Sequence, residues 1–426
     1  MNESGEQLQA GPPAPPPWFH ATETAATATE ISEFAGVPEE IADFVADEWG
    51  GHIPPCPHLF WHPLRGFAWL FRTAFGIVTL IFLLAIIAAI PVVNFLALGY
   101  LLEVEGRVAR SGRLRDAFPL LNIAPRIGTI VIGVWVWIFP LCLLADYASD
   151  ARLIDPGSPL TLTLRWLTLV LPVLIAAHIS LAIARGGGFW CFFRPIKNVR
   201  DFIARMRAGT FWRDANARVA SFVSRMRPGY LFSLGLRGFT AVAVWLMLPT
   251  LLFAAANKTE GGPILVTVFG GLCLTVIFGW IPFLQAHFAA ENRFRAIFEL
   301  GRVRELFRRA PFSWLADVIV VFVFALPLFL LKVRLLPQDA MWFLTLVFIV
   351  TIYPAKVVTG WAYHRALTKQ KRAWFVWRLL CRILIFLLLA FYTFILFFTQ
   401  FIDHLGKLAL FEHHAFQLPG PFTFLL

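Results

Sequence analysis

Charge is what this chain has least of. Asp, Glu, Lys and Arg make up 15% of its 426 residues and apolar residues 58%, where a soluble domain carries about 25% and 45–50%. So few polar side chains cannot cover a surface facing water, which excludes an ordinary soluble domain and leaves lipid as the solvent. Cysteine is scarce as well: Cys56, Cys142, Cys191, Cys273 and Cys381 are scattered, with no C-x-x-C pair. That excludes a disulfide framework and a zinc ribbon. The first 64 residues contain no Lys or Arg, so they lack the basic start of a cleavable signal peptide. Gly186–Gly188 has no Lys-Ser/Thr ending and reads as a hinge rather than a phosphate loop. Glu412–His413–His414 lacks metalloprotease spacing, and no Ser, His and acidic set stands out. No enzyme activity and no cofactor are expected from these residues.

What the chain does have is eight uncharged runs: Thr73–Leu102, Ile127–Ala145, Trp166–Ala184, Gly238–Asn257, Gly261–Ala290, Val318–Leu331, Ala340–Ala355 and Ile383–Ile402. Most are long enough to cross a bilayer as a helix. The first and fifth are overlong and contain Pro91 and Pro282, so each must tilt, kink or emerge. The sixth and seventh are short unless Asp317 and Lys356 join the helices. Those two charges, at run ends, are expected to snorkel. Lys plus Arg in the successive loops count 5, 2, 11, 1, 6, 2 and 7. The excess falls in alternate loops, which places those loops in the cytoplasm and both termini outside. A reversal at Pro91 would put the N-terminus inside instead. The net charge of +11 is thereby accounted for without nucleic acid as a partner.

The chain divides into an acidic, Pro-rich tail (1–64), a first membrane unit (65–257), a second (258–402) and an apolar C-terminal tail (403–426). In the first tail, Gly11–Pro17 reads as polyproline linker and Glu30–Trp49 as a short amphipathic helix. The two units resemble each other. Ile90–Asn94 matches Ile281–Gln285, each with an amide three residues after the proline. Gly106–Arg107–Val108 matches Gly301–Arg302–Val303, and Trp166 matches Trp342 at the start of each third run. Two parallel four-span repeats, related by an axis along the membrane normal, are expected. The fold class is all-α integral membrane protein with about eight transmembrane helices, plus interfacial amphipathic helices.

Those last are expected in loop 185–237, which carries eleven basic and two acidic residues. There FIARMRAG (Phe202–Gly209) recurs as FVSRMRPG (Phe222–Gly229). Apolar residues at helical spacing, with Arg205, Arg207, Arg225 and Arg227 between them, suit an anionic leaflet or a protein partner. Polar groups at membrane depth are functional candidates by default, which singles out Asn94, Gln285, His178 and His287. For the two amides the competing reading is an interhelical hydrogen bond, worth on the order of 1 kcal/mol. His52, Cys56, His58 and His62 form H-x3-C-x-H-x3-H, a weak candidate for zinc or copper that matches no known spacing. No metal is assigned.

The segment PVVNFLALGYLL (Pro91–Leu102) and the arginine-rich stretch after it resemble an uncharacterised family of bacterial polytopic membrane proteins. Pro91, Asn94, Gly99, Tyr100, Arg107 and Arg110 carry the likeness, and the second unit departs from it with Ala290 and Glu291. The resemblance implies a bacterial cytoplasmic-membrane protein and no activity. The leading functional expectation is an accessory subunit or scaffold packed against other membrane subunits by its many Phe and Trp. A transporter or channel with a site at the repeat interface is the first alternative, and a lipid-handling protein the second.

Overall fold

A computed structural model describes residues 63–255, 262–331, 341–402 and 406–411. The readings made on the N-terminal tail, including His52, Cys56, His58 and His62, lie outside the described residues. Among those described there are helices and turns and no strand. Thirteen α-helices follow in order: α1 (Pro63–Ala89), α2 (Asn94–Ser111), α3 (Ala124–Ile154), α4 (Pro159–Ala184), α5 (Pro195–Arg207), α6 (Phe211–Met226), α7 (Pro228–Phe253), α8 (Gly262–Phe278), α9 (Ile281–Glu291), α10 (Leu300–Arg309), α11 (Pro311–Leu331), α12 (Met341–Thr368) and α13 (Phe375–Ile402). Six helices are long and apolar enough to cross a membrane, or eight if each of two bent pairs counts as one span.

Both overlong runs break at their prolines. Pro91 has no N–H to continue α1, and it disfavours helical geometry at Ile90. The turn then places Val92 at φ +68°, a costly conformation for a β-branched residue. In the fifth run α8 ends at Phe278 and α9 starts at Ile281, bent by 42°, with Pro282 in the first turn of α9, where a missing N–H is harmless. The two short runs are completed as the sequence allows, since α11 takes in Asp317 and α12 takes in Lys356.

The first charged stretch is not a loop. Residues 103–111 continue α2, and Val104, Glu105, Val108 and Ala109 are fully buried. Apolar residues ring this helix, so it is enclosed on several sides. Leu98, Leu102 and Ala109 face one apolar cluster, built with α7 and α9. Ala97, Tyr100, Leu101, Val104 and Val108 face another, built with α1 and α12. Small residues permit this closeness. A Cβ on Gly99 would overlap the Leu231 carbonyl, one on Gly235 that of Phe95, and one on Gly106 would approach the Ala289 oxygen to 2.5 Å.

The matching triplets of the two units sit in different surroundings. Gly106 is pressed against α9, whereas a Cβ on Gly301 would meet open space. The helix–break–helix order thus recurs without the same packing around it.

Around this centre lies a more open periphery. α3 and α4 pair with each other and leave large apolar side chains uncovered, among them Trp135, Phe139, Trp166, Leu169 and Val173. α4 ends in a turn through Gly186 (φ +133°) and Gly187 (φ +66°), a conformation that favours glycine. α5 and α6 follow, and Ile196, Val199, Ile203 and Trp212 on them are exposed.

The α2–α7 crossing gives a direct test. Gly99→Ala should cost about 1–3 kcal/mol through overpacking, read as a lower melting temperature of the detergent-solubilised protein. Gly301→Ala, with open space around it, should leave the melt unchanged.

Candidate functional site

Polar groups line one face of α12. Tyr353, Lys356, Thr359 and Tyr363 recur at spacings of three and four, so they stack along a single side of the helix. That side meets α2, α9 and α11, and each group finds a partner there. The Tyr353 hydroxyl donates to the Ala117 carbonyl at 2.6 Å. Beside it the Tyr100 hydroxyl donates to the Pro119 carbonyl at 2.7 Å. Together they tie down the 3₁₀ turn Leu114–Ala117 and the chain after it.

One position along, the Lys356 ammonium donates to Glu105 Oε2 at 2.9 Å and to Gln285 Oε1 at 2.7 Å. It thereby joins α12 to α2 and α9. Gly360 makes room for this contact, because a Cβ there would lie 2.5 Å from the Glu105 carbonyl oxygen. Next, Thr359 Oγ1 lies 2.8 Å from Asp317 Oδ1 on α11 and 3.0 Å from its own Ala355 carbonyl. Glu105, Asp317, Gln285, Lys356 and Thr359 are all buried. Glu105 Oε1 and Asp317 Oδ2 are buried with no hydrogen-bond partner. Such an orphaned acceptor is rare and calls for an explanation.

A third group stands at Tyr363. His287 is wholly buried on α9; its Nδ1 lies 2.7 Å from the Tyr363 hydroxyl and its Nε2 2.9 Å from Glu299 Oε2. An imidazole protonated on Nε2 satisfies both, accepting from Tyr363 and donating to Glu299. The bond from His287 holds the Glu299 carboxyl below the usual carboxylate range, and Arg293 and Arg302 reinforce it.

The chain matches no family model, no curated protein and no solved structure. Its site therefore stands on its own geometry.

Of the residues singled out in the sequence, Gln285 and His287 belong to this face. Asn94 does not meet them. It is the first residue of α2, buried, with Oδ1 lacking a partner. It lies eleven residues from Glu105, about 16 Å along the helix. His178 belongs to the periphery, where its Nε2 lies 2.9 Å from the Phe192 carbonyl and its ring packs edge-on against Trp137. Both side chains secure the turn after α4.

The four loop arginines differ in their surroundings. Arg205 pairs with Asp201 at 3.2 Å, and Arg225 is buried. Arg207 is exposed at the end of α5, and Arg227 lies over the Tyr230 ring at 4.7 Å. No group of three His, Cys, Asp or Glu side chains suited to a metal occurs among the described residues.

Asp317 and Lys356 differ most from expectation. Both were expected to snorkel, and both are buried among other helices and bonded there. A signal for them exists in the sequence: each interrupts apolar residues, Ala316 and Val318 in one case, Ala355 and Val357 in the other. Glu105 between Val104 and Gly106 reads the same way once the helix is known to continue.

The pairing predicts a non-additive mutant pair. Lys356→Met leaves Glu105 buried and uncompensated, which should cost about 3–5 kcal/mol. The double variant Lys356→Met/Glu105→Gln should recover most of that in a thermal melt. Equal losses in the single and double variants would show that the charges do not act as a pair.

Proposed function

We propose that this chain is a multi-pass protein of a bacterial cytoplasmic membrane and acts as a proton-coupled transporter, with Asp317, Thr359, Lys356, Glu105 and Gln285 as its proton-carrying centre. The observation that carries this reading is an imbalance. Two carboxylates are buried beside one buried ammonium, which pairs with Glu105, while Asp317 meets the Thr359 hydroxyl; each carboxylate keeps an oxygen without a partner. Ionised together they would leave one uncompensated negative charge inside the bundle, which is costly in a low-dielectric interior. A single proton on Asp317 removes that charge. It also settles the Thr359 hydroxyl, whose one hydrogen faces two acceptors, Asp317 Oδ1 and the Ala355 carbonyl. With Asp317 protonated, the carboxyl donates to Thr359 and the hydroxyl donates to Ala355.

The surroundings agree with this role. Ionisable residues that face the interior of a membrane bundle typically mark proton relays and ion pathways. Gln285, the third group on the ammonium, belongs to α9, the second half of a broken helix, and broken helices line the sites of many secondary transporters. His287 and Tyr363 extend the line of exchangeable groups by another turn, toward Glu299 and solvent. The exposed apolar faces of α3 and α4 and the alternating basic loops support a bilayer around the bundle with those loops inside.

Infrared difference spectroscopy of the purified protein tests the centre. As buffer pH is stepped, the wild type should show a protonated-carboxyl band that titrates. Asp317→Asn should remove the band, and Asn94→Leu should leave it. A band that never titrates, or that survives in Asp317→Asn, would sink the assignment.

A second reading, an accessory subunit or scaffold, is favoured by the uncovered aromatic side chains of α3 and α4. If a partner covers them, Trp135→Ala/Trp166→Ala should abolish a fixed-stoichiometry complex in mild detergent while the melt stays near wild type. Isolation of the unaltered chain alone would argue against that reading.

A further inference from the structure

A cleft of about 280 Å³ opens where α8 gives way to α9, bordered by α10, α11 and α13. Its walls are apolar and aromatic: Trp280, Phe307 and Trp314 on one side, Ile385 and Leu389 on the other. The aromatic wall is held in place by its own packing. Trp314 stacks on Phe283 with ring centres 3.4 Å apart, Phe307 meets Trp314 edge-on at 5.3 Å, and Trp314 Nε1 donates to the Gly279 carbonyl at 3.2 Å. The polar part of the lining includes two guanidinium groups, Arg304 and Arg382.

These arginines differ from their neighbours. Arg308, Arg309 and Arg372 converge on Glu305, and Arg293 and Arg302 are bound to Glu291. Arg304 and Arg382 meet no carboxylate among the described residues. Arg382 lies over the Phe307 ring at 5.5 Å, which leaves its N–H groups available. Two cations with free donors above an apolar slot match an anionic head joined to a hydrocarbon tail. Guanidinium groups bind phosphate oxygens through strong charge-assisted hydrogen bonds. The volume suits a phosphate headgroup and the first methylenes of a chain, with the rest of the lipid running along the exposed side chains of α13.

The position fits as well. Arg304 belongs to the stretch 291–317 and Arg382 to 356–382, with six and seven basic residues respectively. Both stretches, largely helical, belong to the basic class that the charge bias assigns to the cytoplasmic side, where the leaflet carries anionic lipid. We propose that this cleft binds the phosphate headgroup of one anionic phospholipid, held between Arg304 and Arg382. The inference rests on the membrane reading and is independent of the proton centre.

The full chain, purified in detergent, is challenged with dioleoylphosphatidylglycerol, dioleoylphosphatidylcholine and inorganic phosphate, and bound lipid is read by native mass spectrometry. The wild type should retain one phosphatidylglycerol per chain in preference to phosphatidylcholine. Arg304→Gln/Arg382→Gln should weaken that retention by roughly tenfold or more, since two charge-assisted contacts are lost. Arg304→Lys/Arg382→Lys should keep most of it, as a check on folding, and Arg205→Gln/Arg207→Gln should change it little. Equal retention of both lipids, or unchanged retention in the double glutamine variant, would overturn the site. Inorganic phosphate displacing the lipid at equal concentration would mark a free-anion site and overturn the lipid assignment. Alkaline carbonate washing of native membranes, run alongside, reads the membrane assignment separately: release of the chain would sink that reading.

Discussion

The ammonium of Lys356 is the constraint around which the bundle is arranged. It touches helices that enter the chain far apart in sequence, α2 through Glu105 and α9 through Gln285. A buried cation can stay charged only if such partners are in place. That requirement fixes the rotation of α12, and the rotation carries the other three polar groups on the same face to their own partners. The turn after α2 is then held by Tyr353, α11 by Thr359 and α9 by Tyr363. Displacing α12 by one residue would break all four contacts at once.

Close backbone approach makes the arrangement possible. Gly99, Gly106, Gly235 and Gly360 remove the side chains that would separate α2 from its neighbours. Carbonyl oxygens thereby come within reach of groups that usually bind elsewhere. Arg110, for instance, donates to the Ala289 and Ala290 carbonyls and so closes the C-terminal end of α9. The outer helices share none of this density. α3 and α4 touch the rest of the chain along narrow seams, and most of their surface is apolar and uncovered, as expected where lipid or another apolar partner completes the packing.

The all-helical class and the approximate places of the long apolar helices were legible in the sequence, because uncharged runs and prolines mark them; their ends were not, since α7 begins ten residues before its run and α12 continues thirteen residues past its own. The site was legible only in part. Gln285 and His287 stood out as polar residues inside an apolar run. Asp317 and Lys356 read as snorkelling charges and Glu105 as part of a loop, because each lies one to three residues beyond the edge of a run, where charge is usually exposed. Whether such a residue is solvated or buried depends on what packs against it, and no local pattern contains that. Asn94 shows the converse: it matches Gln285 in sequence, yet the helix it begins carries it away from the ammonium. The recurring Gly-Arg-Val triplet likewise says nothing of environment, since Gly106 is enclosed and Gly301 is open.

The enclosed charge on α2 also dictates an order of assembly. Glu105 and Lys356 are separated by 251 positions, so the carboxylate leaves the ribosome long before its counter-charge exists. Helix α2 cannot be settled in its final place at that stage. Its final packing lacks the ammonium that Glu105 faces until α12 has been made. The last third of the chain is in this sense the part that locks the first, and ribosomes stalled ahead of α12 would carry a protein still short of its central tie.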